Sequence, residues 1–276
     1  MRSEDPVIEA RGLAKRYVRD RGPAVDSMGL HHLIGEIFGM PLRAARRAWS
    51  PSNREGAGNG AETFWALEDV SFDLRAGETL GVIGENGAGK SVLLKILARI
   101  TPPTRGTATV RGRIGAMLEV SAGFHYELTG RENVFLSGAI LGMSQREIAV
   151  RLDRIIEFAE IADAIDTPVK RYSSGMAARL AFSVAAHLDA EIMLVDEVLA
   201  VGDAGFRQKC LDAMRGIARS GRSIVFVSHE LDMLERLCDR AILIDHGRIR
   251  ADGPPGELLD IHRNDLRPAS SDGSSR

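Results

Sequence analysis

The sequence predicts an α/β fold built on a parallel sheet, and three observations carry that prediction. A glycine-rich loop, "GENGAGKS" at residues 84 to 91, separates an apolar run ending at Ile83 from a leucine-rich stretch beginning at Val92. After residue 190, strand-like and helix-like text alternates: "EIMLVD", "DAGFRQKCLDAMRGIARSG", "SIVFVSH", "ELDMLERLCDR", "AILIDHGRIRADG". The strands in that series are apolar almost without interruption, the pattern of a parallel sheet covered by helices on both faces.

The elements follow in order. Residues 5 to 18, "DPVIEARGLAKRYV", read as a short strand, a turn and a second strand. Residues 19 to 64 read as an insertion, with Gly, Pro, Ser and Asn clustered at both ends. Within it Leu30, Leu33, Ile34, Ile37 and Phe38 recur at helical spacing, Pro41 breaks the run, and Arg43, Arg46, Arg47 and Trp49 make a second, basic amphipathic piece. Strand text returns at "FWALEDVSFDL" and "TLGVIG", and "SVLLKILARI" carries a helical stripe. "TATVRG" and "RIGAML" read as short strands. From about 121 to 188 the pattern is helical, in "RENVFLSGAILGM", "SQREIAVRLDRIIEFAEIADAID" and "GMAARLAFSVAAHL". Residues 264 to 276 read as a polar, disordered tail, so the main domain is expected over 1 to 263.

Bulk composition narrows the partners. With 276 residues, 44% hydrophobic, 27% charged and a net charge of -2, the chain has an ordinary globular profile without the basic excess of a nucleic-acid binder. Its two cysteines, Cys210 and Cys238, form neither a disulfide framework nor a metal knuckle, which suits a reducing cytoplasm. No apolar run approaches the ~18 residues of a membrane span, so any transport role requires another chain to supply the pore.

Gly84, Gly89, Lys90 and Ser91 satisfy G-x-x-x-x-G-K-[ST], with a strand before and a helix after, as a phosphate-binding P-loop requires. Glycines let the backbone fold tightly, so that N–H groups along Glu85, Asn86, Gly87, Ala88 and on to Val92 can converge on an anion at a helix start. Lys90 would reach the β- and γ-phosphates and the Ser91 hydroxyl would hold Mg²⁺. A second constellation, "IMLVDE", sets Asp196 and Glu197 at the end of an apolar strand, the edge where open α/β sheets bind ligands. One carboxylate can hold the metal and the next can deprotonate an attacking water.

A third constellation, "YSSGM" at 172 to 176, precedes the helix "AARLAFSVAAHL". The run "RYSSGMAARLAFSVAAHLDAEIMLVDEVLAVGD" resembles the signature motif, Walker B segment and D-loop of ABC ATPases in their usual order, and "VSHE" resembles their H-loop. The resemblance covers nearly the whole chain. It implies a P-loop NTPase of ABC type, with a RecA-like core, an antiparallel β subdomain and a helical subdomain. It also implies an ATPase using ATP and Mg²⁺ as a homodimer. Ser173, Ser174 and Gly175 would then touch the nucleotide held by the opposite copy. Asp196 corresponds to the metal residue, Glu197 to the catalytic glutamate, Asp203 to the D-loop aspartate and His229 to the switch histidine. Ser174 stands where most members have glycine, Met176 where many have glutamine, and Glu119 at the position of a Mg²⁺-sensing glutamine. Tyr17 occupies the strand expected to supply the adenine-stacking ring, with Trp65 as its rival.

"LEVSAGFHYELTGRENVFLSGAILGM", at 118 to 143, and the amphipathic insertion resemble one branch, the ATPases of exporters for lipid-linked cell-surface polysaccharides such as O-antigen, teichoic acid and galactan. That branch implies a peripheral subunit on the cytoplasmic face of the membrane, bound to two copies of an integral membrane permease that carries the glycan. The alternative within the family is a soluble ABC ATPase acting on ribosomes or DNA. Such proteins generally carry two ATPase units or a long coiled-coil insertion, and neither is legible here.

Overall fold

The computed structural model describes residues 5–19, 62–118, 123–196, 202–228 and 231–265. The chain opens with β1 (Ile8–Arg19), β2 (Glu62–Leu74) and β3 (Thr79–Ile83), followed by α1 (Lys90–Leu97), β4 (Arg105–Val110) and β5 (Ile114–Met117). Three helices come next: α2 (Gly130–Ile140), α3 (Gln145–Ala159) and α4 (Ser174–Ala186). Then β6 (Ile192–Asp196), α5 (Ala204–Arg219), β7 (Ser223–Val227) and α6 (Leu231–Leu237) alternate, and β8 (Arg240–Asp245), β9 (Arg248–Gly253) and α7 (Pro255–Asp265) close the described chain.

The strands form two sheets. One has the order β5-β6-β7-β3-β8-β9, parallel from β5 to β8 with β9 antiparallel at its edge. The other has the order β2-β1-β4, with β1 antiparallel to β4. Because successive side chains of a strand point to opposite faces, the apolar strands of the large sheet feed two cores at once. Ile192, Leu194, Val225 and Val227 join a first core with Leu93, Leu94 and Leu97 of α1 and with Ile8, Leu67 and Val70 of the small sheet. Met193, Val195, Ile224 and Phe226 join a second core with Val134, Ile155, Phe182 and Phe206 from α2 to α5. Leu80, Leu93 and Leu194 are fully buried, each contributing about 2 kcal/mol of transfer free energy. This is why the strands read as continuous apolar runs.

One element differs from expectation. Residues 8 to 19 form a single strand rather than strand, turn and strand. Gly12 sits at φ 57° and its N–H donates to the Ser71 hydroxyl at 2.8 Å, while the pairing with β4 shifts register between Arg11 and Ala14. A bulge absorbs the glycine, so the chain kinks without reversing. The amphipathic helices expected between residues 30 and 49 lie outside the described residues, as does the tail beyond 265.

The described residues divide into two units, one of residues 5–15 with those from 66 onward and one of residues 16–19 with 62–65. In the second, the Tyr17 ring stacks on Phe64 with centroids 5.9 Å apart, and the Arg16 guanidinium lies 5.6 Å from the Trp65 ring. No helix among the described residues is long and apolar enough to cross a membrane.

The starts of α2 and α3 are set by capping boxes, Thr129 with Glu132 and Ser144 with Glu147. Glu147 accepts hydrogen bonds from the Ser144 backbone and from Arg113. The Ser144 backbone N–H first, then its side chain and Arg113, pull the Glu147 carboxyl from 4.5 down to about 2. A carboxylate depressed in the folded state stabilises it above the unfolded pKa and loses that contribution as pH falls through the folded value. The melting temperature of the wild type should therefore fall more steeply than that of Glu147→Gln between pH 5 and 2, with the difference vanishing at the acid end; parallel curves from thermal melts would contradict the assignment.

Candidate nucleotide-binding site

Strand β3 lies between β7 and β8, and the register pairs Val82 with Val227, Val227 with Asp196, and Val195 with Met117. The C-terminal ends of β5, β6, β7 and β3 therefore stand side by side. Gly84 leaves β3 there, Asp196 ends β6 and Ser228 follows β7. In an open α/β sheet this edge is where ligands bind. Glu119, Glu197 and His229 lie outside the described residues; in sequence, Glu197 directly follows Asp196 and His229 directly follows Ser228.

The loop requires glycine for different reasons at different positions. A Cβ on Gly84 would come within 2.3 Å of the Ile244 carbonyl oxygen, and one on Gly89 within 2.4 Å of the Ala66 carbonyl oxygen. Gly87 has open space around it and needs glycine only for its φ of 85°. Glu85, Asn86, Gly87 and Ser91 are exposed, whereas Ala88 and Gly89 are buried under the neighbouring backbone and Val92 is half-buried. No side chain caps α1 and its first turn holds no acidic residue, so its first N–H groups and the positive end of its dipole are left to a ligand. Gly89→Ala forces a methyl group onto the Ala66 carbonyl and should cost about 1–3 kcal/mol of stability along with nucleotide affinity; unchanged chemical denaturation and unchanged ATP titration would refute the close approach.

Lys90, only 6% exposed, is the first residue of α1. Its ammonium reaches back over the loop and donates to the Gly84 and Glu85 carbonyls at 2.7 and 2.9 Å. The same Glu85 carbonyl accepts the Ala88 N–H at 3.1 Å, closing the turn. These carbonyls hold the ammonium over the loop, where a cation can meet an entering anion.

For a metal, the Ser91 hydroxyl and the Asp196 carboxylate offer hard oxygen donors. That donor set fits Mg²⁺, which takes one or two protein oxygens and completes its shell with phosphate oxygens and water.

Ser173 caps α4: its hydroxyl accepts the Met176 N–H at 3.1 Å, and both Ser173 and Ser174 are exposed at the helix start. Gly175 is half-buried with room for a Cβ. The Tyr172 hydroxyl donates to the Ala164 carbonyl at 2.7 Å, anchoring the turn before the cap. Met176 packs against the second core. Asp203 caps α5 by accepting the Phe206 N–H at 3.0 Å and pairs with Arg179 of α4. That N–H, and then the Arg179 guanidinium, hold the Asp203 carboxyl below the usual carboxylate range. Arg179 also reaches Glu160 at 3.2 Å and lies 4.9 Å from the Phe206 ring. From the middle of α4 the guanidinium thus joins the C-terminal end of α3 to the N-terminal end of α5, a role for which "AARLAF" gives no sequence signal. Phe64, stacked on Tyr17 and half-exposed, is a third aromatic beside the two candidates for adenine.

The ABC transporter family profile matches residues 67–200, from β2 through the segment after β6. The O-antigen export system ATP-binding protein RfbB of Klebsiella pneumoniae is 44% identical over 259 residues, spanning 94% of this chain and 98% of that protein. The teichoic acids export ATP-binding protein TagH of Enterococcus faecalis is 43% identical over 205 residues, 74% of this chain and 46% of that protein. Among solved structures, a dimeric ATP-binding cassette in a post-hydrolysis state with ADP and Pi aligns at a TM-score of 0.66 and 18% identity, covering 90% of this chain and 98% of that one. Its likeness gives the α/β P-loop NTPase fold of ABC type, with the parallel core, antiparallel sheet and helical part described above. Near-complete alignment to an ATP-binding export protein, on a fold that carries its glycine loop and its acidic strand end on one edge, makes this chain a member of the ABC transporter ATP-binding family and an ABC-type ATPase.

Proposed function

We propose that two copies of this chain enclose two ATP molecules head to tail and drive a membrane permease that exports a lipid-linked cell-surface polysaccharide. The observation that carries the paired arrangement is the opposition of two helix starts. α1, behind the glycine loop, buries its apolar face in the first core, whereas α4, behind Ser173 to Gly175, buries its face in the second. The large sheet separates them, so one nucleotide gripped by both kinds of site needs two chains. Near full-length likeness to an O-antigen export protein supports the transport assignment, and with it a position on the cytoplasmic face beside two permease subunits.

In this reading the backbone from Gly84 to Val92 and the Lys90 ammonium hold the triphosphate of one copy, and Ser173, Ser174 and Gly175 of the other copy meet its γ-phosphate. Tyr17 is the ring assigned to adenine. Ser91, Asp196 and Glu119 are the residues that would hold Mg²⁺, which offsets phosphate charge. Glu197 takes a proton from the attacking water, and His229 orients the γ-phosphate end of the site. A ligand shifts an equilibrium only through differential affinity. ATP closes the pair because its γ-phosphate touches both copies; ADP lacks that group and lets them part.

Co-expression with a membrane protein of about six ~20-residue spans, expected from a neighbouring gene, tests the assignment. The two should co-purify, and deleting this chain should leave the glycan on its lipid carrier inside the cell. Normal surface glycan in the deletion strain, or co-sedimentation with ribosomes instead of a membrane protein, would overturn it.

A further inference from the structure

The tight turn between β8 and β9 has a use that hairpin formation does not explain. His246 and Gly247 both adopt positive φ, 43° and 78°, the pair of values a two-residue hairpin turn needs. Yet the Gly247 backbone bonds outside its own hairpin on both sides. Its N–H donates to the Ala88 carbonyl, inside the glycine loop, at 3.1 Å, and its own carbonyl accepts the Glu68 N–H of β2 at 2.8 Å. Arg248 and Glu68 form an ion pair at 2.9 Å over the same junction. A Cβ on Gly247 would lie 2.9 Å from the Ala66 carbonyl oxygen and 3.1 Å from the Leu67 Cα, so the turn is pressed against β2 as closely as glycine allows. Three residues earlier on the same hairpin, the Ile244 carbonyl is the group that excludes a side chain from Gly84.

A trans peptide points its C=O and its N–H in opposite directions. Holding the Ala88 carbonyl outward, against Gly247, therefore turns the Gly89 N–H the other way, toward the inside of the loop. Without that bond the Ala88–Gly89 peptide could flip and present a carbonyl where an anion has to sit. We infer that Gly247 is a positioning residue for the triphosphate: its N–H fixes the one loop peptide whose orientation decides whether the Gly89 N–H faces phosphate. The inference rests on the nucleotide reading of the glycine loop and adds to it a residue 158 positions beyond Gly89 in sequence that acts through the Ala88 carbonyl.

The test replaces Gly247 by glycolic acid, turning its amide into an ester. This deletes the N–H and keeps both the φ freedom and the absence of a Cβ. A matching ester at Gly221, whose N–H bonds the Ala218 carbonyl at 3.2 Å in the turn before β7, serves as the control. Affinity for Mg·ATP and for inorganic tripolyphosphate is titrated on the folded full-length protein, with the melting temperature measured without nucleotide. The Gly247 ester should weaken both ligands about tenfold, the scale of one misdirected hydrogen bond to a charged group. The Gly221 ester should lower the melting temperature and leave both affinities unchanged. Gly247→Ala, strained at φ 78°, should repeat the loss, and Gly221→Ala, at φ 84° with open space around it, should not. Affinities within twofold of wild type in both Gly247 variants, or equal losses in the Gly221 controls, would overturn the inference. Failure of the wild type itself to bind either ligand would instead overturn the nucleotide reading on which it rests.

Discussion

Glu197→Gln should bind Mg·ATP with an affinity close to that of the wild type and turn it over ~10²-fold more slowly or worse, the scale of a lost general base. The carboxylate follows Asp196 at the end of β6, which pairs with β7 next to the strand that launches the glycine loop. Glutamine keeps the size and hydrogen-bonding reach of the side chain but cannot accept a proton, so binding and cleavage separate. The measurement is steady-state phosphate release with the permease present, alongside ATP titration by calorimetry. Wild-type turnover would remove Glu197 from the chemistry, and loss of binding would mean the substitution had damaged the pocket instead.

Lys90→Met should do the reverse and strike binding first. Two loop carbonyls, those of Gly84 and Glu85, now face the ammonium. Without it they remain as partial negative charges beside an incoming triphosphate, and the cation that would have met the β- and γ-phosphates is gone. Hydrogen bonds to charged groups contribute about 1.5–3 kcal/mol each, so ATP affinity should fall about 10- to 100-fold. Because charge develops on the phosphates as the bond breaks, turnover should fall a further 10²- to 10³-fold. Methionine preserves the buried stem, so the melting temperature without nucleotide separates this effect from misfolding. A variant that binds and cleaves ATP as the wild type does would contradict the assignment of Lys90.

The parallel core was legible because β3, β6 and β7 are apolar on both faces, and because glycine, lysine and serine at fixed offsets admit few other physical uses. Asp196 was legible for the same reason: a carboxylate at the end of a buried strand sits at an edge the topology defines. The bend at Gly12 was not, since a glycine between two polar-apolar stretches signals a turn as readily as a bulge, and only the Ser71 hydroxyl across the sheet decides between them. Arg179 and Gly247 were illegible for a different reason. Their contacts, to Asp203 and Glu160 and to Ala88 and Glu68, join segments far apart in sequence, and no local pattern reports a tertiary hydrogen bond. Ser173 combines both cases: its capping role follows from its place before a helix, but its exposure at a helix start opposite α1 required the fold.

The most direct test of the paired, nucleotide-gripping arrangement is sedimentation equilibrium of the Glu197→Gln protein in magnesium, with ATP, with ADP and without nucleotide. The account predicts twice the chain mass with ATP alone and a single chain in the other two conditions, with Ser173→Arg abolishing the ATP-dependent species. A single chain in all three conditions, at ATP concentrations that saturate binding, would contradict it.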